Sequence, residues 1–235
     1  MPNQKHAVDR RNSLKNQIMH PLLEALMQKG VVDVHYMAHK ESIVKIATDG
    51  IRSRLCLKRS NIKPIEIANS SVLEKRMLRT VDGMNPVCEF VPFYFSWFTA
   101  MQKEVESRSI EGSNALVFLD VSVASIAHFA RHVWVSSGNA SSQFATFIKD
   151  PKDLYYTNVD HAQRVKYNTK RTSRVMVRAC ELLIPTHVPT TCISRVVCKS
   201  ASVKAWLLEN LAGTTHPPIS LNPERYFFDQ SGYER

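Results

Sequence analysis

Arg174-Val-Met-Val-Arg-Ala-Cys-Glu-Leu-Leu-Ile-Pro185 is a run of β-branched and aliphatic residues that carries one carboxylate, Glu181. Runs of this kind form buried strands. A carboxylate inside one must be paired, protonated or aimed into a cleft, because burying an isolated charge is costly. A Glu on an edge strand facing water has the same local sequence, so the surroundings must decide. The working expectation is a cleft built around Glu181.

Composition bounds what such a cleft can serve. The 235 residues suffice for one domain with a real core, and 44% hydrophobic against 22% charged residues is a globular profile. No apolar run nears the ~20 residues of a membrane helix, and the polar N-terminus lacks a signal-peptide core, so no membrane partner and a cytoplasmic setting are expected. Five cysteines, odd in number and without a C-x-x-C pair, read as free thiols rather than a disulfide frame or a metal site. The excess of 31 Lys+Arg over 21 Asp+Glu, a net +10, favours a polyanionic partner such as nucleic acid.

Upstream of Glu181, apolar residues every fourth position predict helices over 13–19 and 21–29, with Pro21 in a first turn and Gly30 as the cap. Residues 31–37 read as a strand and 40–49 as a helix. The strand brings His35, Tyr36 and His39 to a turn, where they either line a pocket or pack as a core Tyr with surface histidines. Residues 52–64 read as a basic loop, and a helix from about Asn69 places Arg76 and Arg79 on one face. An Arg there suits bidentate contact with a pyrophosphate. Phe90-Val-Pro-Phe-Tyr-Phe-Ser-Trp-Phe98 is the densest aromatic run, and Pro92 marks it as an edge strand or bulge.

Further strands are predicted at 115–121 and 132–135, with a short helix or loop between them. His128 and His132 have metal-ligand spacing if helical, but no third ligand is near, and no metal is expected. Residues 143–149 look helical. Tyr155 and Tyr156, followed by Lys170, Arg171 and Arg174, interleave rings and cations as a single-stranded nucleic acid requires. A strand at 190–199, a helix at 200–211 and an extended tail with Tyr226, Phe227 and Phe228 tucked back complete the chain. No repeat and no second domain are evident.

Several pieces resemble, in order, the DarT family of NAD-dependent ADP-ribosyltransferase toxins. Ile67-Ala-Asn-Ser-Ser-Val-Leu-Glu-Lys-Arg76 is similar to the family's I-A-x-x-x-I-Q-x-R-R element. Val91-Pro-Phe-Tyr-Phe95, with Met101 downstream, matches V-P-F-Y-F…P-M. Ser137-Gly-Asn-Ala140 resembles T-D-G-x-A, and Ala179-Cys-Glu181-Leu-Leu-Ile resembles the catalytic Q-A-E-F-L-V strand. The resemblance covers roughly 31–228 and implies an α+β fold, a split, bent sheet with NAD in the cleft. It divides the chain into a helical extension, 1–30, and an ADP-ribosyltransferase domain, 31–235.

Carried over by position, the resemblance makes Glu181 and Arg76 catalytic, with Arg76 also contacting the co-substrate NAD beside Tyr36, His39, Tyr94 and Met101. Two departures stand out. His35-Tyr36-Met-Ala-His39 replaces Tyr-His-Ile-Thr-His, so Tyr36 stands where an NAD-anchoring His is expected, and Phe98-Thr-Ala100 replaces Arg-Ser-Pro. The implied reaction builds oxocarbenium character at the ribose, which a carboxylate stabilises before accepting a proton from the attacking base. The acceptor must be unstacked, so a single strand is favoured, with DNA ahead of RNA on family precedent. A toxin implies a neutralising partner, either a macrodomain hydrolase or a direct binder, and an anti-phage role is compatible with it.

Two other readings stay open. A catalytically silent nucleic-acid-binding module on the same fold is supported by Tyr36 and opposed by Glu181 and Arg76. Modification of protein side chains is disfavoured by Ala179, where arginine-modifying relatives commonly carry a second Glu.

Overall fold

Pro21 opens helix α1 (Pro21–Gln28), and the His20 ring nitrogen accepts the Leu22 amide as its cap. The structure, a computed structural model, describes residues 19–108, 114–157, 159–164 and 178–227, so the helix expected at 13–19 lies, but for its last residue, outside it. Leu22, Leu23 and Leu26 are fully buried in the main core, at about 2 kcal/mol of apolar burial each. The helix therefore spends its apolar face on the fold itself.

Strand β1 (Asp33–His39) leads into α2 (Ser42–Asp49), closed by Gly50 at φ 74°. β2 (Ile51–Arg52) follows. The stretch read as a basic loop contains a helix, α3 (Arg54–Arg59), because Ser53 accepts the Cys56 amide and caps it. Asn69 caps α4 (Ser70–Leu78) in the same way. β3 (Phe90–Tyr94), α5 (Ala100–Arg108), β4 (Leu116–Ser122) and α6 (Val123–Ala127) come next. Because α6 ends at Ala127, His128 and His132 do not sit one helical turn apart.

β5 (Trp134–Ser136) and β6 (Phe147–Ile148) form a hairpin where residues 143–149 were expected to be helical. Paired bonds between Ser137 and Thr146 close its loop and leave no room for a helix. A 3-10 segment, Pro151–Thr157, precedes α7 (Val159–Arg164). Of the strand expected from Arg174, residues 174–177 lie outside the described residues, residues 178–180 are not strand, and β7 runs over Glu181–Pro185. Its ladder partners also stop there, since Glu181 faces the last residue of β3, Tyr94, and the last of β5, Ser136. β8 (His187–Val188), β9 (Ile193–Cys198), α8 (Ala201–Asn210), β10 (Ile219–Leu221) and a 3-10 turn over Pro223–Arg225 follow among the described residues. A 3-10 turn over Thr190–Cys192 delays β9, and the tail contributes β10, a strand paired parallel to β9 that its prolines had concealed.

Among the described residues eight strands form one sheet in the order β10-β9-β4-β1-β3-β7-β5-β6, and β2 pairs with β8 apart from it. β1 pairs with β4 from Asp33 to His39, and β3 with β7 along its whole length. Between β1 and β3 a single pair, His35 with Tyr94, holds the two halves together. The sheet is split there. Pro92 is consequently not on an outer edge. A strand bordering this opening needs no donor on that side, which makes a proline tolerable.

Gly50 sits where β2 meets β8. A Cβ on it would run into the Val188 carbonyl and the His187 ring, and its φ of 74° already disfavours any side chain. Gly50→Ala is expected to cost about 2 kcal/mol, a fall of roughly 4–8 °C in Tm by calorimetry.

Candidate active site

A cleft of about 310 Å³ opens at the split. β1 lends it Tyr36 and His39, β3 lends Pro92 and Tyr94, and α4 and α5 lend Arg76 and Met101. The sequence places these residues far apart, and the fold brings all five of the co-substrate candidates to one cleft. His35 does not line the cleft; it turns to Asp120 instead.

Glu181 lies behind Arg76, with no exposed surface. Both carboxylate oxygens accept from Arg76 Nη2, at 2.5 and 2.6 Å, and the Ala140 amide makes a longer contact of 3.4 Å. The Glu181 amide donates to Ser136 Oγ at 3.1 Å, fixing the first residue of β7. Burial pushes the Glu181 carboxyl above its ordinary value, against the pull of Arg76 and Ala140. The contact uses one nitrogen, so the guanidinium keeps further donors for a phosphate.

Tyr94 and Tyr36 are held as neutral phenols by burial, and Tyr94 also by the Glu181 charge. The Tyr94 hydroxyl reaches the Met101 sulfur at 3.4 Å, and the Tyr36 ring packs tilted against Phe93. Burial and the neighbouring Glu181 carboxylate push the Cys180 thiol up to about 12, which removes it as a thiolate nucleophile. A second chamber of about 360 Å³, lined in part by Leu55, Lys58, Asn61 and Met77, shares Arg76 with the first.

Arg79 caps α4 rather than continuing it, and its guanidinium donates to the Ala145 carbonyl while covering the Phe147 ring. The sequence reading puts it on one helix face with Arg76; in the structure it ties α4 to the β5–β6 loop. The resemblance marks residues 137–140 of that loop as the T-D-G-x-A turn; the structure adds the contact of its Ala140 amide with Glu181.

Tyr155 and Tyr156 are exposed, with ring centroids 3.8 Å apart. The carbonyl of the next residue, Thr157, accepts from Cys180 Sγ at 3.0 Å, which brings the pair near the start of β7. Lys170, Arg171 and Arg174 lie outside the described residues.

A row of ladder partners crosses the sheet: Glu181, Tyr94, His35, Asp120 and Arg195. Asp120, fully buried, accepts from Arg225 at 2.7 and 2.9 Å and from Arg195 at 2.9 Å, and His35 Nδ1 lies 2.9 Å away. Burial pushes the Asp120 carboxyl up, but His35 and Arg225 outweigh that and hold it well below the usual range. Arg225 also stacks on Trp97, 3.8 Å from the ring centre, and the Trp97 indole N–H reaches His35 at 3.0 Å. This cluster clasps the two half-sheets beside their single backbone pair. Only His35 of it had been singled out from the sequence.

The fold is similar to Thermosipho africanus DarTG in complex with ADP-ribose (TM-score 0.72, 17% identity, 83% of this chain and 51% of that one). It is also similar to Thermus sp. 2.9 DarT in complex with ADP-ribosylated ssDNA (TM-score 0.70, 15% identity, 84% and 97%). The same Thermus protein in complex with NAD+ gives a TM-score of 0.65 at 14% identity, with 84% and 98% covered. The chain thus spans about half the length of the Thermosipho protein. No curated protein matches by sequence. The sequence model of DarT, described as ssDNA thymidine ADP-ribosyltransferase, matches residues 35–228, and with most of its length so matched the chain belongs to the DarT family.

Proposed function

We propose that this protein transfers ADP-ribose from NAD to a base of single-stranded DNA, releasing nicotinamide. The observation that carries the reading is Glu181, fully buried and gripped by Arg76 at the cleft formed by Tyr36, His39, Tyr94 and Met101. These residues fit the co-substrate: a guanidinium for a pyrophosphate, and neutral aromatic and thioether groups for flat rings. NAD supplies the ADP-ribosyl group and a leaving nicotinamide.

Arg76 holds the phosphates so that the scissile bond faces Glu181. Glu181 places negative charge where the ribose carbon becomes electron-poor, and low surrounding polarity strengthens that field. Its carboxylate then takes the proton from the attacking base nitrogen. Tyr36 lines the place of the family's histidine and remains neutral, so it contributes shape and a hydroxyl rather than charge. Tyr155 and Tyr156, with the cations downstream, contact the acceptor strand.

The role that goes with this chemistry is that of a toxin held in check by an antitoxin, a macrodomain hydrolase or a direct binder, in the cytoplasm. Growth arrest that limits phage would be one use of it. Since α1 buries its apolar face in the core, only its polar side is left for such a partner. Among the described residues no helix is long and apolar enough to cross a membrane.

The test is incubation with NAD labelled in the adenylate, together with single-stranded DNA, duplex DNA, RNA or bulk protein. Label on single-stranded DNA alone, absent with Glu181→Gln, is the expected result. Label on RNA alone would correct the acceptor, and label on none would sink the reading.

A further inference from the structure

The β5–β6 loop leaves Phe144 75% exposed, the most open aromatic side chain among the described residues. Exposing a phenyl ring forgoes about 2 kcal/mol of burial, and lone surface aromatics are ordinarily unremarkable. The placement of this one is not ordinary. Four residues earlier in the same loop, the Ala140 amide contacts Glu181 Oε1, and four residues of chain span no more than about 14 Å. One residue later, the Ala145 carbonyl is held by Arg79, which follows Arg76 by less than one helical turn.

The loop is also firm. Ser137 and Thr146 close its base with backbone and hydroxyl bonds, Ser142 and Ala145 close a turn around Phe144, and Arg79 covers Phe147. A loop braced by these bonds, which touches the reactive carboxylate at one point and offers an open ring at another, is suited to placing a flat partner. The partner's other property follows from charge, since the chain carries a net +10. An unstacked base on a polyanionic strand has both features.

We infer that Phe144 is an acceptor-positioning residue: a base of the single-stranded nucleic acid stacks on its ring, fixing the strand while the target base is presented at Glu181. The inference rests on the proposed transferase reading and adds a specific contact to it. It assigns to the β5–β6 loop the control of how often cleaved NAD reaches a base rather than water.

The experiment compares wild type, Phe144→Ser and Phe144→Trp on a mixed-sequence 20-nucleotide DNA strand and on RNA of the same sequence. The readout is the share of released nicotinamide matched by label on the oligonucleotide at subsaturating strand. Phe144→Ser is expected to lower that share about tenfold, the scale of one lost base–aromatic stack, and Phe144→Trp to restore it. Since the ring is exposed, neither change disturbs the core. An unchanged share in Phe144→Ser, or a loss that Phe144→Trp fails to repair, overturns the stack while leaving the transferase reading intact. Wild type that labels neither strand overturns both.

Discussion

Glu181→Gln is expected to lower nicotinamide release from NAD about a thousandfold, with the cleft's lining unchanged. The substitution keeps the side chain's size and one acceptor for Arg76 while removing the charge that faces the reacting ribose. Stopped assays of nicotinamide across pH add a second signature. Burial raises the Glu181 carboxyl above the ordinary value of 4.5. Below that raised value the group is protonated and supplies no charge, so the rate climbs with pH through it. The wild-type acid limb should therefore lie above pH 4.5 and vanish from the residual rate of Glu181→Gln. A limb that persists in the variant would assign it to another group.

Arg76→Ala should produce the larger structural penalty. It leaves a fully buried carboxylate without its counter-ion, a change that costs about 3–5 kcal/mol, or on the order of 10 °C in Tm for a chain of this size. Part of that cost is avoided by protonating Glu181, whose folded-state pKa rises further once Arg76 is gone. A raised folded pKa gives stability that is present below the unfolded value and lost as pH rises through the folded one. The Tm deficit should thus be greater at pH 8 than at pH 5. Adding Glu181→Gln to Arg76→Ala should recover part of the loss, because no buried charge is then left alone. Equal deficits at both pH values, with additive double-variant data, would mean that the pair is not coupled as the 2.5 and 2.6 Å contacts imply.

The strands and helices that position Glu181 were legible because they are periodic and capped by recognisable residues such as Pro21, Asn69 and Ser200. What escaped was set at a distance. Asp120 sits in Leu116-Val-Phe-Leu-Asp-Val121, the same kind of apolar run that drew attention to Glu181. Locally the two carboxylates are indistinguishable. The difference is that Asp120 is enclosed by cations from β9 and the tail, whereas Glu181 meets one Arg beside a cleft; with partners 75 to 105 positions away in both cases, local sequence shows neither arrangement. Strand β5 was legible, but its return strand β6 was misread as part of a helix over 143–149, because the Ser137–Thr146 closure joins residues nine positions apart that local composition does not pair. Strand β10 was hidden because its partner, β9, offers an edge that only the assembled sheet reveals. The aromatic run was readable as strand, but its neighbour was not, and so Pro92 suggested an outer edge instead of an internal gap.

That gap has a consequence for how this architecture can diversify. With one backbone pair at the spine, each half-sheet behaves as a separate leaf whose internal register does not depend on the other. Insertions on one leaf need not propagate to its fellow. The angle between leaves is instead a side-chain property, written in Trp97, His35, Asp120 and Arg225. Two leaves bound like a book can be opened wider for a bulkier guest by editing the binding, with every page left as it was.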